Sequence, residues 1–145
     1  MKNLNYNILK TLFVLLLIAG PIGCGKDDGP SEPSVEELII GKWGLVNVFP
    51  NTGGPTEALG ECERKSYLEF DTNNLVTEAS FYIDESECKG TLAEHEYAFL
   101  SEGEKLVFTS TNDGTTVTLN ILTLDRTTLV IDFVTPPITM RLEKQ

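Results

Sequence analysis

Residues 66–83, SYLEFDTNNLVTEASFYI, decide the fold, because apolar and polar side chains alternate on both sides of a short polar turn. Successive side chains of a strand point to opposite faces, so each run has one shared face. These faces are Ser66, Leu68 and Phe70 before the turn, and Leu75, Thr77, Ala79, Phe81 and Ile83 after it. We predict a β-hairpin centred between Asn73 and Asn74, which places Phe70 opposite Thr77.

The same alternation continues on both sides of this hairpin and predicts eight strands. The shared faces of the other six are Trp43, Leu45, Asn47 and Phe49; His95, Tyr97 and Phe99; Leu106 and Phe108; Val117, Leu119 and Ile121; Leu129, Ile131 and Phe133; and Met140 and Leu142. Between two of these runs, Asn112–Gly114 predicts a hairpin, since Asp-Gly tolerates the positive φ angles of a type I′ turn. Eight antiparallel strands at this spacing close into a small all-β, up-and-down barrel.

A short helical turn precedes the first strand. Ser34, Val35, Glu36 and Glu37 form a capping-box pattern, in which the serine hydroxyl and the carboxylate of Glu37 satisfy each other's free backbone amides. We expect one or two turns of helix that end at Gly41.

The segment after the helical turn carries a family resemblance. Gly41, Lys42 and Trp43 resemble the Gly-x-Trp opening of the lipocalin superfamily, and Leu122–Ile131 is similar to a recurring penultimate hairpin of bacterial lipocalin-like lipoproteins. The chain is shorter than typical lipocalins. The resemblance implies a lipocalin-like barrel over residues 34–145 that binds a small hydrophobic ligand.

The candidate ligand-binding residues are the large side chains on the predicted inward faces, with one histidine among them. They are Trp43, Phe70, Phe81, His95, Tyr97, Phe99, Phe108 and Phe133. The same rings could instead fill so short a barrel completely, and an internal void of about 300 Å³ or more would favour ligand binding over a filled core. A filled barrel would suit a protein-interaction module, for which the long connection Pro50–Gly60 is the candidate surface.

The first 23 residues have the pattern of a lipoprotein signal peptide. A weakly basic start precedes an apolar stretch too short to span a bilayer, and Pro21, Ile22, Gly23 and Cys24 resemble a lipobox in which only Pro21 departs from the usual residue. We expect cleavage before Cys24 and lipid on that cysteine; the alternative is ordinary cleavage near Gly20. Residues 24–33 form a flexible acidic tether, whose Lys26, Asp27 and Asp28 resemble a signal for export to the cell surface.

The anchor predicts a protein of the outer membrane, held there by the lipid on Cys24, where it could be displayed at the cell surface. The full chain has a net charge of −11, from 11 basic and 22 acidic residues. Binding to nucleic acid or to anionic lipid headgroups relies on clustered Lys and Arg. This charge balance therefore argues against nucleic acid as a partner and against electrostatic binding to anionic lipids. Contact with the membrane would therefore be covalent or through another protein.

The other two cysteines, Cys62 and Cys88, are predicted to form a disulfide across the hairpin region. In an oxidising compartment such a bond stabilises a loop of this size by roughly 3 kcal/mol. A metal or redox pair has no support, since the chain has one histidine and no Cys-x-x-Cys motif.

No motif for catalysis is present in the sequence, and no cofactor is implied. The serines lack a nucleophile-elbow context, and the carboxylates adjacent to His95 in sequence point to the opposite face of its strand. Five acidic residues near the cysteines, Glu61, Glu63, Asp84, Glu85 and Glu87, match no calcium-loop spacing. We predict no enzyme and no metal site.

Overall fold

A closed antiparallel barrel of eight strands forms the protein, as seen in a computed structural model that describes residues 32–50 and 58–145. Each strand pairs with the next, and the last pairs with the first. The strands are β1 Gly41–Pro50, β2 Tyr67–Phe70, β3 Leu75–Asp84, β4 Glu87–Leu100, β5 Lys105–Ser110, β6 Thr116–Leu124, β7 Thr128–Phe133 and β8 Ile138–Lys144. The predicted fold is confirmed.

One helix, α1 (Val35–Ile39), precedes β1. Its capping box is formed as predicted: Glu37 N donates to Ser34 Oγ at 3.3 Å, and Ser34 N donates to Glu37 Oε2 at 3.1 Å. The chain leaves the helix through Gly41, whose φ of +117° is readily accessible only to glycine. This turn directs α1 across one end of the barrel.

The helix closes that end of the barrel. Ile39 is fully buried, and its carbonyl oxygen accepts a hydrogen bond of 2.7 Å from Trp43 Nε1. Lys144 Nζ donates to the carbonyl oxygen of Leu38 at 3.0 Å, so the last strand also holds the helix. The β2–β3, β4–β5 and β6–β7 turns lie at this closed end, and the β3–β4, β5–β6 and β7–β8 connections lie at the open end.

A packed core fills the closed half of the barrel. The ring of Phe70 meets that of Tyr97 edge to face at 5.1 Å, and Phe108 lies 6.0 Å from Phe70. The largest fully buried side chains are Trp43, Phe70, Ile39, Leu106, Leu119, Leu129, Ile131, Leu142 and Val76. Burying apolar area of this kind is the main source of stability for so small a domain.

The β2–β3 register differs from the prediction by one residue. Phe70 pairs with Val76, not with Thr77, because Asp71 caps the turn and accepts hydrogen bonds from Asn73 N and Leu75 N. A shift of one residue moves every side chain of a strand to its other face. Val76 is accordingly fully buried, and Thr77 and Phe81, which were predicted to point inward, lie on the outer face of β3, whereas Ala79 is buried as predicted.

A β-bulge in β1 produces a second difference. Leu45 pairs with Leu142, but the next regular partners are Asn47 with Arg141 and Val48 with Met140, so the alternation shifts at Val46. Val48 rather than Asn47 then packs against the core. The predicted inward face of β1 is therefore correct for Trp43 and Leu45 and wrong for Asn47 and Phe49.

The β5–β6 connection is a hairpin, as predicted, but its turn type is different. Of its residues only Gly114 has a positive φ, of +71°, whereas a type I′ turn needs positive φ at both central positions. Ser110 N donates to the carbonyl oxygen of Thr115, so the loop between them is longer than two residues. The extra residues bring Asp113 and Thr115 over the open end.

The predicted disulfide is present. Cys62 and Cys88 are joined, with their Cα atoms 5.6 Å apart. Cys88 lies near the start of β4, where it pairs with Ile83 of β3, and Cys62 directly precedes a short 3-10 turn that leads into β2. The bond thus fastens the segment before β2 to the β3–β4 hairpin at the open end.

Several predictions concern residues outside the described ranges. These are the signal peptide of residues 1–23, Cys24, nearly all of the tether, and residues 51–57 of the connection Pro50–Gly60. Within the described ranges, no helix has the length and apolar character needed to cross a bilayer.

Candidate functional site

A cavity of about 310 Å³ occupies the open half of the barrel. Its walls come from all eight strands, and Asp113 and Thr115 line its mouth. The apolar part of the wall includes Leu45, Leu68, Phe108, Val117, Phe133, Met140 and Leu142. The barrel is therefore filled at one end and hollow at the other.

Three polar side chains meet on one wall of this cavity. Ser80 Oγ donates to Glu78 Oε1 at 3.0 Å, and His95 Nε2 lies 3.3 Å from Glu78 Oε2. Glu78 and Ser80 project from β3 on the same side as Val76, and His95 comes from β4 as the partner of Val76. The one-residue register of β3 is what brings this carboxylate inward.

The imidazole of His95 is held between an aromatic ring and a carboxylate. Its ring stacks on Phe108 with centroids 5.8 Å apart and planes inclined by 17°. Nε2 is inaccessible to solvent and has no aligned hydrogen bond among the described residues, although Glu78 lies at ion-pair distance. Buried polar atoms usually have hydrogen-bond partners, and Glu78 Oε2 is the polar atom that Nε2 faces.

The hydrogen bonds of this cluster do not match a nucleophilic triad. In a triad the serine hydroxyl is bonded to the imidazole, which removes its proton. Here the hydroxyl of Ser80 donates to the carboxylate of Glu78 instead. The arrangement suits recognition of a polar group on a bound molecule better than activation of Ser80.

The mouth of the cavity carries a second acid. Hydrogen bonds from the backbone of Thr115 and from Ser110 lower the pKa of Asp113 from its usual value of 3.8. Asp113 is therefore ionised at neutral pH. The described residues that line the cavity include these two acids and His95, and none of them is Lys or Arg.

The predicted ligand-binding residues fall into three groups. His95, Phe108 and Phe133 line the cavity. Trp43, Phe70 and Tyr97 belong to the buried core, and Phe99 packs against that core. Phe81 is on the outer face of β3, where its ring covers Gly90 of β4 closely enough that a Cβ there would lie 2.7 Å from Phe81 Cε1.

Glu78 and Ser80 line the cavity but were not predicted as site residues. Both were assigned to the outer face because the hairpin was centred one residue too far along. A signal was available, since Asp71 followed two residues later by Asn73 is typical of an Asx turn, which fixes where a turn begins. His95 was identified, but its partner is across the strands and not adjacent in sequence.

The acidic residues near the disulfide form no ion site in the described part of the chain. Asp84 pairs with Lys89 at the base of the β3–β4 turn, and both side chains are about half exposed. No group of three or more potential metal-ligating side chains lies together among the described residues.

A family model and one solved structure agree with the architecture. The family model of a lipocalin-like domain matches residues 39–131. The crystal structure of a lipocalin-like protein from Bacteroides uniformis superimposes with a TM-score of 0.54 at 12% identity, covering 74% of this chain and 98% of the other. A triple mutant of bovine odorant binding protein aligns at 18% identity and a TM-score of 0.39, covering 73% of this chain and 71% of its own. No curated protein sequence matches the chain.

Proposed function

The chain belongs to the lipocalin-like domain family, and on that basis we propose that the hollow half of its barrel binds one small, largely apolar ligand. The protein then acts as a binding protein and not as an enzyme. The observation that carries the proposal is the cavity itself. Its volume of about 310 Å³ lies at the lower end of the range of sites that enclose small molecules, which is roughly 300–1,000 Å³.

The composition of the wall supports an apolar ligand body. Phe108, Phe133 and Met140 offer large polarizable surfaces, and the polar groups are concentrated at Glu78, Ser80 and His95. A few convergent polar groups in an apolar wall are typical of sites that orient a small molecule. The packed closed half supplies stability, so the open half can stay hollow.

A substitution that fills the cavity tests this proposal. Ser80→Leu places a larger apolar side chain in the cavity, and Thr77→Leu places the same side chain on the outer face of the same strand. We expect a neutral apolar fluorescent probe to bind the native protein and the Thr77→Leu variant equally, and Ser80→Leu at least about tenfold more weakly. Equal binding by all three would refute a ligand site in the barrel.

We also propose that the chain is made as a lipoprotein precursor, cleaved before Cys24 and anchored by lipid in the outer membrane, with the barrel at the cell surface. The support is the lipobox-like segment ending at Cys24 and the acidic tether that follows it. Metabolic labelling with a fatty acid should mark the native protein and not a Cys24→Ser variant. Protease added to intact cells should digest the barrel if it faces outward, and digestion only after the outer membrane is opened would place it inside.

A further inference from the structure

We propose that the ligand carries a basic group, so that the cavity selects small amphiphilic amines over carboxylic acids, with Glu78 as the residue that binds the ammonium. This inference rests on the proposed function, because it concerns the same cavity. It assigns the chemical class of the ligand from the charges of the wall.

The charge of the cavity wall is the first argument. Glu78, whose side chain is 42% exposed, lies on the wall beside His95, Asp113 lies at the mouth, and no Lys or Arg lines the cavity among the described residues. A ligand carboxylate would be placed near two acids with no Lys or Arg beside it. Bringing a like charge into a site of reduced dielectric is unfavourable, and bringing an opposite charge is favourable.

The hydrogen-bonding capacity of Glu78 is the second argument. Its Oε1 accepts one bond from Ser80, and its Oε2 faces His95 Nε2 without an aligned bond. An ionised carboxylate offers about four acceptor sites, so most of the capacity of Glu78 is unused. An ammonium has several N–H donors and can bind such a carboxylate by charge-assisted hydrogen bonds.

The buried nitrogen of His95 is the third argument and is independent of the charge count. Nε2 lies on the wall of the cavity beside Glu78, is inaccessible to solvent, and has no hydrogen-bond partner among the described residues. When the imidazole carries its proton on Nδ1, Nε2 is an acceptor. The 3.3 Å between Nε2 and Glu78 Oε2 leaves no room for another atom between them, so a ligand N–H would bond to Nε2 only where the carboxylate of Glu78 turns toward the ligand.

The charge of the whole protein acts in the same direction. The chain contains twice as many acidic as basic residues and has a net charge of −11. Clefts lined by one sign of charge concentrate the field of the protein and raise the local concentration of counter-ions. Asp113 at the mouth extends this negative potential to the entrance of the cavity.

Three ligands that share one alkyl chain test the selectivity: octylamine, octanol and octanoate. Their affinities for the purified domain Pro33–Gln145, which contains the whole barrel and its core, are measured by displacement of a neutral fluorescent probe at pH 7. We expect octylamine to bind about tenfold or more tightly than octanol, and octanoate to bind more weakly than octanol. The alcohol has the same alkyl chain and a hydroxyl but no charge, so the difference between octylamine and octanol reports on the charge of the ligand.

Substitutions at Glu78 connect the selectivity to this residue. Glu78→Gln should remove the preference for octylamine over octanol, and Glu78→Lys should reverse the order in favour of octanoate. Glu94→Gln makes the same charge change on the exposed face of β4 and should keep the native order. Circular dichroism of each variant confirms that the barrel is folded.

The outcomes separate the two proposals. If the native protein binds all three ligands equally, or if Glu78→Gln keeps the amine preference, the basic-ligand inference is wrong and the apolar site remains. If none of the three displaces the probe and Ser80→Leu binds the probe as the native protein does, the site itself is absent and both proposals fail.

Discussion

Trp43 Nε1 donates a hydrogen bond to the carbonyl oxygen of Ile39 at 2.7 Å, and both residues are fully buried. The bond joins the first strand to the helix that covers the closed end of the barrel. A carbonyl oxygen at the end of a helix has no partner within the helix, and burial would make that loss costly. The indole therefore has a structural role that its size alone does not explain.

Replacing Trp43 with Phe should destabilise the protein by about 2–3 kcal/mol, because it leaves the Ile39 carbonyl unpaired and opens a small void. Urea unfolding followed by circular dichroism measures the loss. Tyr82→Phe removes one polar group from a half-exposed ring and should change the free energy of unfolding by less than about 0.5 kcal/mol. Similar losses in both variants would contradict the specific role of the bond.

The disulfide between Cys62 and Cys88 gives a second prediction. The double variant Cys62→Ser, Cys88→Ser should unfold with a free energy lower by about 2–4 kcal/mol, since the unfolded chain is no longer constrained. A reducing agent should lower the stability of the native protein by a similar amount. The reducing agent should not change the stability of the double variant. If it did, the loss of stability in the native protein would have a cause other than the disulfide.

The β2–β3 register predicts opposite results at two adjacent positions. Val76 is fully buried opposite Phe70, and Thr77 is on the other face of the strand. Val76→Thr puts a hydroxyl into the core and should cost about 1–3 kcal/mol, and Thr77→Val should change stability by less than about 0.5 kcal/mol. Equilibrium unfolding in urea measures both. The reverse order would indicate that the hairpin pairs one residue further along.

Acid should destabilise the protein through its turn aspartates. Hydrogen bonds from Thr127 N and Thr128 N lower the pKa of Asp125 below its usual 3.8, and those from Leu75 N and Asn73 lower the pKa of Asp71. A group with a lower pKa in the folded state stabilises the protein above its unfolded pKa, and that contribution is lost as the pH falls through the folded pKa.

The contribution of these groups to the free energy of unfolding should therefore be constant near neutral pH and should decrease below about pH 4. Urea unfolding of the native protein at several pH values measures this change. Asp125→Asn keeps an acceptor oxygen but cannot titrate, so its stability should fall less steeply with acid. Glu94→Gln, which removes an exposed acid from the outer face of β4, should decline as the native protein does. An identical decline in all three would exclude Asp125 as a contributor.

The sequence predicts the number and order of strands well, because side-chain alternation responds directly to having one buried face. The capping box at Ser34 and the Cys62–Cys88 disulfide could also be predicted, because neither depends on the register between neighbouring strands. The face of β3 is different, since it depends on a turn centre known only to within a residue. Phe81 was placed inward and Glu78 outward for that reason.

The bulge at Val46 shows the same limit in another form. A bulge adds one residue to one strand and reverses the alternation beyond it, yet the residues Val46 and Asn47 give no distinct local pattern. The contact between His95 and Glu78 also depends on pairing across strands, which periodicity within one strand cannot supply. Site residues were thus harder to predict than the architecture that positions them.

The division of the barrel into a packed end and a hollow end separates two kinds of evolutionary constraint. Side chains around Trp43 are fixed by close packing, and a change there affects folding. Side chains at the open end that are exposed to solvent, such as Val117, can be exchanged at little cost in stability. The open rim is therefore the place where natural variation or directed evolution can change what the barrel accepts.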